Sequence, residues 1–381
     1  MRFAVCLYKY FPFGGLARDF LRIMHATLNE GDSVDVFAIE WQGDVPDSFN
    51  VHLIKPAGTS NHAKLSSFHA QVASELKKES YDLVIGFNKM PGLDLYYAAD
   101  PCYLDRIKAH PFYFVLKYTP RVQFYSACEQ AVFGHQSKTV SLMISDVQQA
   151  LFEKHYATEK QRLISLSPGI DPNRKRPDDA TVIRDQLRKE LNVGDEQWLL
   201  LMVGTGFKTK GVDRAIATLA QLPYAIKDKT KLMIIGEGNT SALKKQAKKL
   251  AVAEQVSFLG GRSDVPKFLL AADLLIHPAR KENTGTVILE ALVAGLPVLV
   301  SSVCGYSKHV LKSGAGKVLS DASNTALSAH ELADMLNQQE LLQWSEHALD
   351  YAAKEDLYSM PQQAATVIRK MAAQKGNEVI T

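Results

Sequence analysis

ENTGTVILEALVAGLPVLVSS, residues 282–302, reads as a helix, a Gly-Pro turn and a buried strand. Glu282 opens the stretch and Glu290 follows eight positions later, with no charged residue between them. A buried carboxylate is costly unless it has partners, so either both glutamates reach solvent or both hold something. A helix that leads directly into a short apolar strand is typical of a parallel sheet with crossover helices.

The same alternation of strands and helices runs through the rest of the chain. The strand RFAVCLY (2–8) is followed by an amphipathic helix (16–30), and the strand YDLVIGFN (81–88) follows another helical segment. After SPGIDPNRKRPDD (167–179) the pattern restarts with the strand WLLLMVGTG (198–206). This order predicts an α/β protein with two doubly wound, Rossmann-like domains that face each other across a ligand-binding cleft.

The composition is that of an ordinary globular protein. The chain has 381 residues, of which 46% are hydrophobic and 22% charged, and this length favours two domains. A net charge of +3 is too small to indicate nucleic acid as the main partner. The four cysteines are scattered, which argues against a zinc site or a disulfide framework. No apolar run reaches the roughly 18 residues that span a bilayer, and no signal peptide is recognisable, so a cytoplasmic protein is expected.

Two glycine-containing loops follow predicted strands. Gly14 and Gly15 precede the first helix, where backbone amides and the helix dipole favour an anion, although these glycines can equally serve only the turn. The loop GTGFKTKG (204–211) has Thr209 where a dinucleotide fingerprint needs its third glycine. Neither loop has the G-x-G-x-x-G pattern, which weakens the alternative of a nicotinamide-dependent oxidoreductase.

The second loop also carries two lysines. Lys208 and Lys210 lie between the end of a predicted strand and the start of a helix. An ammonium group there adds a mobile positive charge to the helix dipole and can neutralise a diphosphate. A solvated basic loop is the alternative reading.

The two glutamates fit a ligand rich in hydroxyl groups. If the helix starts near Thr284, Glu290 lies in its second turn, and both carboxylates lean towards the helix N-terminus. Carboxylates accept charge-assisted hydrogen bonds from vicinal hydroxyls, whereas the amides around Thr284, Gly285 and Thr286 can bind phosphate oxygens. A sugar, a ribose and a phosphate would each find partners here.

At these residues the chain resembles the retaining glycosyltransferases of family 4, which have the GT-B fold. They carry two glutamates separated by seven residues ahead of a Gly-x-Pro-Val turn, as Glu282, Glu290 and GLPV do here. More closely, the chain is similar to the lipopolysaccharide core glucosyltransferases of that family. This similarity runs nearly end to end and is carried by LYKYFPFGGLARDF (7–20), GFNKMPGLD (86–94) and AGLPVLVSSVCGY (294–306).

The resemblance implies an architecture and a reaction. An acceptor-side Rossmann-like domain would occupy 1–168, with a C-terminal helix (about 358–381) packed back towards it, and a nucleotide-sugar-binding domain would occupy 169–357. UDP-glucose would be the donor and an inner-core heptose of lipopolysaccharide the acceptor, joined through an α-1,3 bond. Another UDP-hexose or another acceptor on the same fold is the alternative.

The resemblance also assigns the donor-side residues. Glu282 would hold the hexose hydroxyls, Glu290 the ribose, and Arg262 falls where the family binds uracil. Lys210 would contact the diphosphate. Backbone amides of three glycines would assist it, namely Gly14, Gly15 and Gly285.

The acceptor side and the catalytic set follow in the same way. Asp19 and Asp100 fall at the acceptor side of the cleft and, with Glu282, are the candidate catalytic residues. One position departs from the family, because Thr209 stands where an arginine usually precedes the lysine. Lys208 can substitute from one position away, although an ammonium cannot reproduce a bidentate guanidinium contact. This departure leaves open a catalytically idle nucleotide-sugar-binding protein.

The absence of one motif bears on the mechanism. No Asp-x-Asp occurs in the chain, so no metal cofactor is expected, and helix dipoles with a lysine would stabilise the leaving group. A double displacement needs a carboxylate beneath the sugar, and Asp100 is the candidate for it. The resemblance instead implies front-face transfer, in which departing UDP accepts the proton of the acceptor.

A basic and aromatic stretch lies in the first half of the chain. Residues 106–125 hold six aromatic residues, no acidic residue and the basic residues Arg106, Lys108, Lys117 and Arg121. Such a combination suits an interface with anionic lipid headgroups. The sequence therefore predicts peripheral contact with the cytoplasmic face of the inner membrane, and an ordinary core helix with a basic edge is the alternative.

Overall fold

The computed structural model describes residues 1–12 and 14–380. Phe13, in the first glycine loop, and Thr381, at the end of the last predicted helix, lie outside the described residues. The chain forms two compact units, which are Met1–Gly169 with Tyr358–Thr381, and Ile170–Leu357. Each unit is built from alternating strands and helices, as the sequence predicts.

The first unit contains a parallel sheet covered by helices. In chain order its elements are β1 (Arg2–Cys6), β2 (Lys9–Tyr10), α1 (Gly15–Thr27), β3 (Ser33–Ala38), β4 (Glu40–Trp41), β5 (Phe49–Leu53), α2 (Asn61–Glu75), β6 (Leu83–Gly86), β7 (Leu95–Ala98), α3 (Tyr103–Lys108), α4 (Tyr113–Leu116), α5 (Pro120–Phe133), β8 (Val140–Met143), α6 (Asp146–Tyr156) and β9 (Leu163–Ser165). Among the described residues the main sheet has seven strands in the order β5-β3-β1-β6-β7-β8-β9, and β2 pairs separately with β4.

Buried side chains pack on both faces of this sheet. Alternate residues of β1 belong to different clusters, with Phe3 and Val5 on one face and Ala4 and Cys6 on the other. Successive side chains of a strand point to opposite faces, so a strand covered on both sides is apolar throughout. The apolar run of β1 therefore fits its place inside the sheet, between β3 and β6.

The second unit repeats this architecture. Its elements are α7 (Ala180–Glu190), β10 (Trp198–Val203), α8 (Phe207–Lys210), α9 (Val212–Ala220), α10 (Tyr224–Lys227), β11 (Thr230–Ile235), α11 (Ser241–Lys249), β12 (Val256–Gly260), α12 (Val265–Ala271), β13 (Leu274–His277), α13 (Thr286–Ala294), β14 (Val298–Ser301), α14 (Ser307–Ser313), β15 (Gly316–Leu319), α15 (Thr325–Met335) and α16 (Gln338–Lys354). The strand order over the described residues is β12-β11-β10-β13-β14-β15, with every pair parallel.

The last helix, α17 (Met360–Ile380), belongs to the first unit. Its buried residues Met360, Ala364 and Ile368 join the same apolar cluster as residues of α1. Arg369 donates hydrogen bonds to the Thr27 carbonyl (2.9 Å) and to the Asp32 carboxylate (2.6 Å). The predicted return of the C-terminal helix to the N-terminal domain is therefore confirmed.

Some elements differ from those that the sequence predicts. The first helix ends at Thr27 rather than near residue 30, because Leu28 has extended backbone angles. The basic and aromatic stretch 106–125 includes the end of α3, all of α4 and the start of α5, and is not the single core helix of the alternative reading. Within the described part of the chain, no helix has the length and apolar character needed to cross a bilayer.

Candidate active site

Two loops of the second unit leave neighbouring strands at the same edge of the sheet. β10 lies between β11 and β13, and the strand order changes direction there. In a doubly wound sheet, ligands bind beyond the carboxyl ends of the strands at such a switch point. Lys210 follows β10 and Glu282 follows β13, and the two side chains form an ion pair. The structure thus brings together two residues that the sequence nominates.

The Glu282 carboxylate has two nitrogen partners. It accepts a hydrogen bond from Nζ of Lys210, and its Oε2 lies 3.2 Å from Nε2 of His277. Burial acts to raise the pKa of Glu282, but the hydrogen bond with His277 and the charge of Lys210 outweigh it and lower the pKa to about 2. The Glu282 carboxylate is therefore ionised at neutral pH and can accept hydrogen bonds from a ligand.

His277 is a site residue that the sequence analysis missed. It ends β13, its side chain is 1% exposed, and within residues 1–12 and 14–380 its Nδ1 has no hydrogen-bond partner. A carboxylate only accepts, so Nε2 must carry the hydrogen that points at Glu282. The sequence feature that could have indicated this role is a histidine at the carboxyl end of an otherwise apolar strand.

The helix beside this group begins two residues later than predicted. α13 starts at Thr286 rather than near Thr284, because Gly285 has φ 85° and is left-handed. A Cβ on Gly285 would lie 2.8 Å from Cδ1 of Ile288, a terminal methyl that can move, so it is the left-handed angle that favours glycine here. The amides of Thr286 and Val287 precede the first hydrogen bond of the helix, which the Ile288 amide donates to the Gly285 carbonyl (2.9 Å), and they present positive dipole ends to an anion.

Glu290 lies in the second turn of α13, as predicted, but has a different partner from Glu282. Its Oε1 is 3.6 Å from Nε of Arg174, which ends the short 3₁₀ helix Pro172–Arg174. Glu290 is 9% exposed, so little of it reaches solvent. The sequence analysis missed Arg174, which lies in a segment that it treated only as the connection between domains.

The second glycine loop is partly helical. Lys208 and Lys210 belong to the single turn α8, and Lys208 is exposed whereas Lys210 turns to Glu282. Arg280 holds this turn in place, because its amide donates to the Thr209 carbonyl (2.8 Å). The Arg280 guanidinium is committed to both carboxylate oxygens of Asp213, each at 2.7 Å. Arg280 therefore does not supply the guanidinium that Thr209 lacks.

Arg262 lies apart from the Glu282 group. It follows β12, which β11 separates from β10, and its guanidinium makes two hydrogen bonds of 2.7 Å to Asp264. The same group stacks over the ring of Phe268 at 4.8 Å. The uracil role of Arg262 remains a prediction, and this stacked pair is the arrangement that a base would meet.

The first glycine loop offers one free amide rather than two. The amide of Gly14 donates to the Phe11 carbonyl at 3.0 Å, within the turn itself. Gly15 begins α1, so its amide has no intrahelical acceptor. The Gly14 amide is thus engaged within the turn, and the anion-binding role of Gly14 and Gly15 remains a prediction.

Asp19 lies on α1, where the Tyr97 hydroxyl donates a hydrogen bond of 2.8 Å to its Oδ2. Burial raises the pKa of Asp19 to about 6, although Tyr97 and the charges of Arg22 and Arg18 act to lower it. An aspartate that titrates near neutral pH is a frequent feature of functional sites.

Asp100 lines a cavity of about 310 Å³ in the first unit. The volume falls in the range of small-ligand pockets. Aromatic and polar side chains share the wall, among them Tyr8, Asn88, Arg106 and Tyr125. Such a mixture suits a sugar ring, whose faces are apolar and whose edges carry hydroxyls.

Comparison with known proteins identifies the family. Residues 183–356 match the model of the glycosyl transferases group 1 family. Lipopolysaccharide glucosyltransferase WaaG of Escherichia coli (strain K12) is 41% identical over 366 residues, which are 96% of this chain and 98% of that protein. The chain is a group 1 glycosyltransferase.

The fold of this glycosyltransferase agrees with solved structures. A crystal structure of WaaG superposes with a TM-score of 0.88 at 40% identity, over 96% of this chain and 99% of that one. A crystal structure of Anabaena Alr3699/HepE in complex with UDP-glucose superposes with a TM-score of 0.74 at 18% identity, over 97% of this chain and all of that one. The predicted GT-B fold is confirmed, and family membership excludes the oxidoreductase alternative.

The raised pKa of Asp19 predicts how stability of the glycosyltransferase depends on pH. Between the ordinary aspartate pKa of 3.8 and about 6, the folded protein keeps a proton that the unfolded chain has lost, so stability falls as pH rises through this window. We expect Asp19→Asn to raise the free energy of unfolding by roughly 1–2 kcal/mol at pH 8 and to leave it unchanged near pH 3.5.

Chemical denaturation at both pH values measures this effect. Asp47→Asn, at an exposed aspartate of the same unit, is the matched control. Equal stabilisation by Asp19→Asn at both pH values would contradict the assigned titration.

Proposed function

We propose that this glycosyltransferase is a lipopolysaccharide core glucosyltransferase that transfers glucose from UDP-glucose to an inner-core heptose through an α-1,3 bond, with retention. The end-to-end relative at 41% identity is named a lipopolysaccharide glucosyltransferase, which supports this acceptor and sugar. The observation that carries the proposal is the ionised Glu282, paired with Lys210 and His277 beside the N-terminus of α13. In this group a carboxylate that can accept hydrogen bonds from sugar hydroxyls lies next to a helix N-terminus that can bind phosphate.

The donor is proposed to bind by exchange of partners at this group. The Lys210 ammonium would turn from Glu282 to the diphosphate, because the diphosphate carries more negative charge than a carboxylate. The freed carboxylate would accept hydrogen bonds from the hexose hydroxyls, while His277 keeps it in position. Glu290 would hold the ribose, and Arg262 with Phe268 would meet the uracil.

Chemistry at this site consists of stabilising a leaving group. When the bond between the sugar and the β-phosphate breaks, negative charge grows on the phosphate oxygen. The amides of Gly285 and Thr286 and the Lys210 ammonium are proposed to stabilise it, which replaces the charge that a metal would supply. In front-face transfer the same oxygen accepts the proton of the attacking heptose hydroxyl, so the new bond forms on the face from which UDP leaves.

Membrane contact is proposed for the stretch 106–125. Three of its aromatic side chains are largely exposed, with Phe114 at 66%, Tyr118 at 69% and Phe112 at 62%. Lys117 and Arg121 are exposed beside them. Exposed apolar groups together with basic ones favour insertion at an anionic interface, which suits an acceptor that is itself a lipid.

Reversing the basic charges tests this contact. We expect Lys117→Glu with Arg121→Glu to lower binding to phosphatidylglycerol vesicles at least about tenfold, since each basic residue near such a surface contributes about 1 kcal/mol. Lys245→Glu with Lys248→Glu, at exposed positions of α11, makes the same change in net charge. Vesicle sedimentation that shows equal losses for both pairs would reject a specific surface at 106–125.

Calorimetric titration tests the donor. The protein is titrated with UDP, UDP-glucose, UDP-galactose and NAD, with EDTA present throughout. We expect UDP and UDP-glucose to bind and NAD not to bind. Binding that appears only after a divalent cation replaces EDTA would reject metal independence, and preference for UDP-galactose would change the proposed donor.

A further inference from the structure

Glu129 is a buried carboxylate that the proposed reaction does not use. It lies on α5 and is fully buried. Its Oε1 accepts hydrogen bonds from Nζ of Lys89 (2.5 Å) and from the amide of Tyr103 (2.6 Å). Its Oε2 accepts from the amide of Leu104 (2.9 Å) and from the hydroxyl of Tyr156 (2.7 Å). Every neighbour is a donor, and Lys89 supplies the opposite charge that a buried anion needs.

These bonds converge on the loop that carries Asp100. The Lys89 ammonium also donates to the Pro101 carbonyl at 2.7 Å. The amide of Cys102 donates to Oε1 of Gln148 at 2.7 Å, and the next two amides are the pair bound by Glu129. Each residue from 101 to 104 is therefore tied by a buried side chain, immediately after Asp100.

The same ion pair borders the cavity that Asp100 lines. Lys89 and Glu129 contribute to its wall together with Asp100, Tyr103 and Arg106. Glu129 also caps the N-terminus of α3, because it accepts the first two amides of that helix. A shift of the pair would move Asp100, Tyr103 and Arg106 together, and hence the shape of the cavity.

We propose that the Lys89–Glu129 pair is a positioning device that sets the geometry of the Asp100 loop and thereby the use of the acceptor, while leaving the donor site unaffected. The proposal rests on the proposed function, in which the first unit receives the acceptor. Lys89 and Glu129 are assigned this role through the loop, to which both are hydrogen-bonded.

The chemistry of Glu129 explains why a neutral residue cannot replace it. A glutamine has one acceptor oxygen and an amino group that can only donate. In place of Glu129 it would direct that amino group at Lys89 or at a backbone amide, each of which is also a donor. At least one tie to the loop must then break.

Steady-state transfer kinetics with Glu129→Gln test the positioning role. We expect kcat/KM for the acceptor to fall about 10²-fold, the loss that follows from misplacing a reacting group by about 1 Å. The affinity for UDP should stay within about twofold of the wild type, since the donor side chains Lys210, Glu282 and Glu290 lie in the second unit.

Arg162→Gln is the matched control. Arg162 is a buried cation that donates to the carbonyls of Phe133 (3.2 Å) and Gly134 (2.9 Å) at the end of the same helix α5. Its further hydrogen bonds go to Val132, Thr139 and Glu159. It should lower the thermal midpoint as Glu129→Gln does, yet leave acceptor kcat/KM within about twofold.

A second variant covers the case in which Glu129→Gln does not fold. Gln148→Met removes the acceptor of the Cys102 amide without stranding a buried charge, and it should lower acceptor kcat/KM about tenfold. If Glu129→Gln folds and its acceptor kinetics equal those of the Arg162→Gln control, the positioning role is overturned. If Glu129→Gln does not fold, the same result with Gln148→Met overturns that role. A wild-type enzyme that transfers no glucose would instead refute the proposed function.

Discussion

Glu282→Gln should lower kcat for glucose transfer by about 10³-fold without unfolding the protein. The substitution keeps the shape of the side chain but removes the charge that Lys210 and His277 stabilise. A neutral amide accepts weaker hydrogen bonds from the sugar hydroxyls, and the loss is largest in the transition state, where positive charge develops on the sugar. Transfer assays at saturating UDP-glucose measure this effect.

Stability measurements separate this catalytic effect from a folding defect. The pKa of Glu282 is lowered from 4.5 to about 2, so its ionised form stabilises the fold above pH 4.5 and this contribution is lost as pH falls towards 2. Glu282→Gln should therefore be less stable than the wild type at pH 7, with a difference that shrinks in acid. Glu346→Gln, at an exposed position of α16, controls for the loss of one charge. Near-normal transfer by Glu282→Gln would remove the central role of this carboxylate.

Lys210→Met should lower kcat/KM for UDP-glucose by about 10²-fold and weaken UDP binding in parallel. The Lys210 ammonium forms an ion pair with Glu282, and the thioether of methionine keeps most of the lysine volume while removing its charge. Calorimetric titration with UDP measures the loss in the ground state, and kcat measures the additional loss in the transition state.

The double variant tests whether the two residues act as a unit. Because Lys210 and Glu282 are in contact, we expect the combined loss of Lys210→Met and Glu282→Gln to be smaller than the product of the single losses.

Lys208→Met measures whether the exposed neighbour compensates for the missing arginine at Thr209. A loss with Lys208→Met as large as with Lys210→Met would transfer the diphosphate contact to Lys208.

The pair of Lys210 and Glu282 could be predicted because the sequence shows where the strand before each residue ends. Lys210 follows an apolar strand and a glycine loop, and Glu282 follows another strand and opens a helix. His277 could not be assigned, since a lone histidine at the end of an apolar strand is equally a core residue. Its contact with Glu282 depends on how the intervening loop turns the Glu282 carboxylate back onto Nε2 of His277, and residue spacing does not show that.

The backbone conformation of single residues and the contacts between residues distant in sequence could not be predicted, for physical reasons. Residue spacing shows that a helix lies near Gly285, but not that Gly285 is left-handed and delays its start to Thr286. Lys89 and Glu129 lie 40 positions apart on different elements, and neither periodicity nor charge indicates that they meet in the interior. The amide of Gly14 is lost to the turn for a similar reason, because its partner is set by local backbone angles.

Transfer to an isolated acceptor tests the central claim most directly. The protein is incubated in EDTA with UDP-glucose and lipopolysaccharide that lacks core glucose, and the acceptor mass and the released UDP are measured together. We predict a mass increase of one hexose, with one UDP released for each glucose added, and both products forming about 10³-fold more slowly with Glu282→Gln. Release of UDP without a change in the acceptor, or binding of UDP-glucose without either product, would contradict the proposed glucosyltransferase.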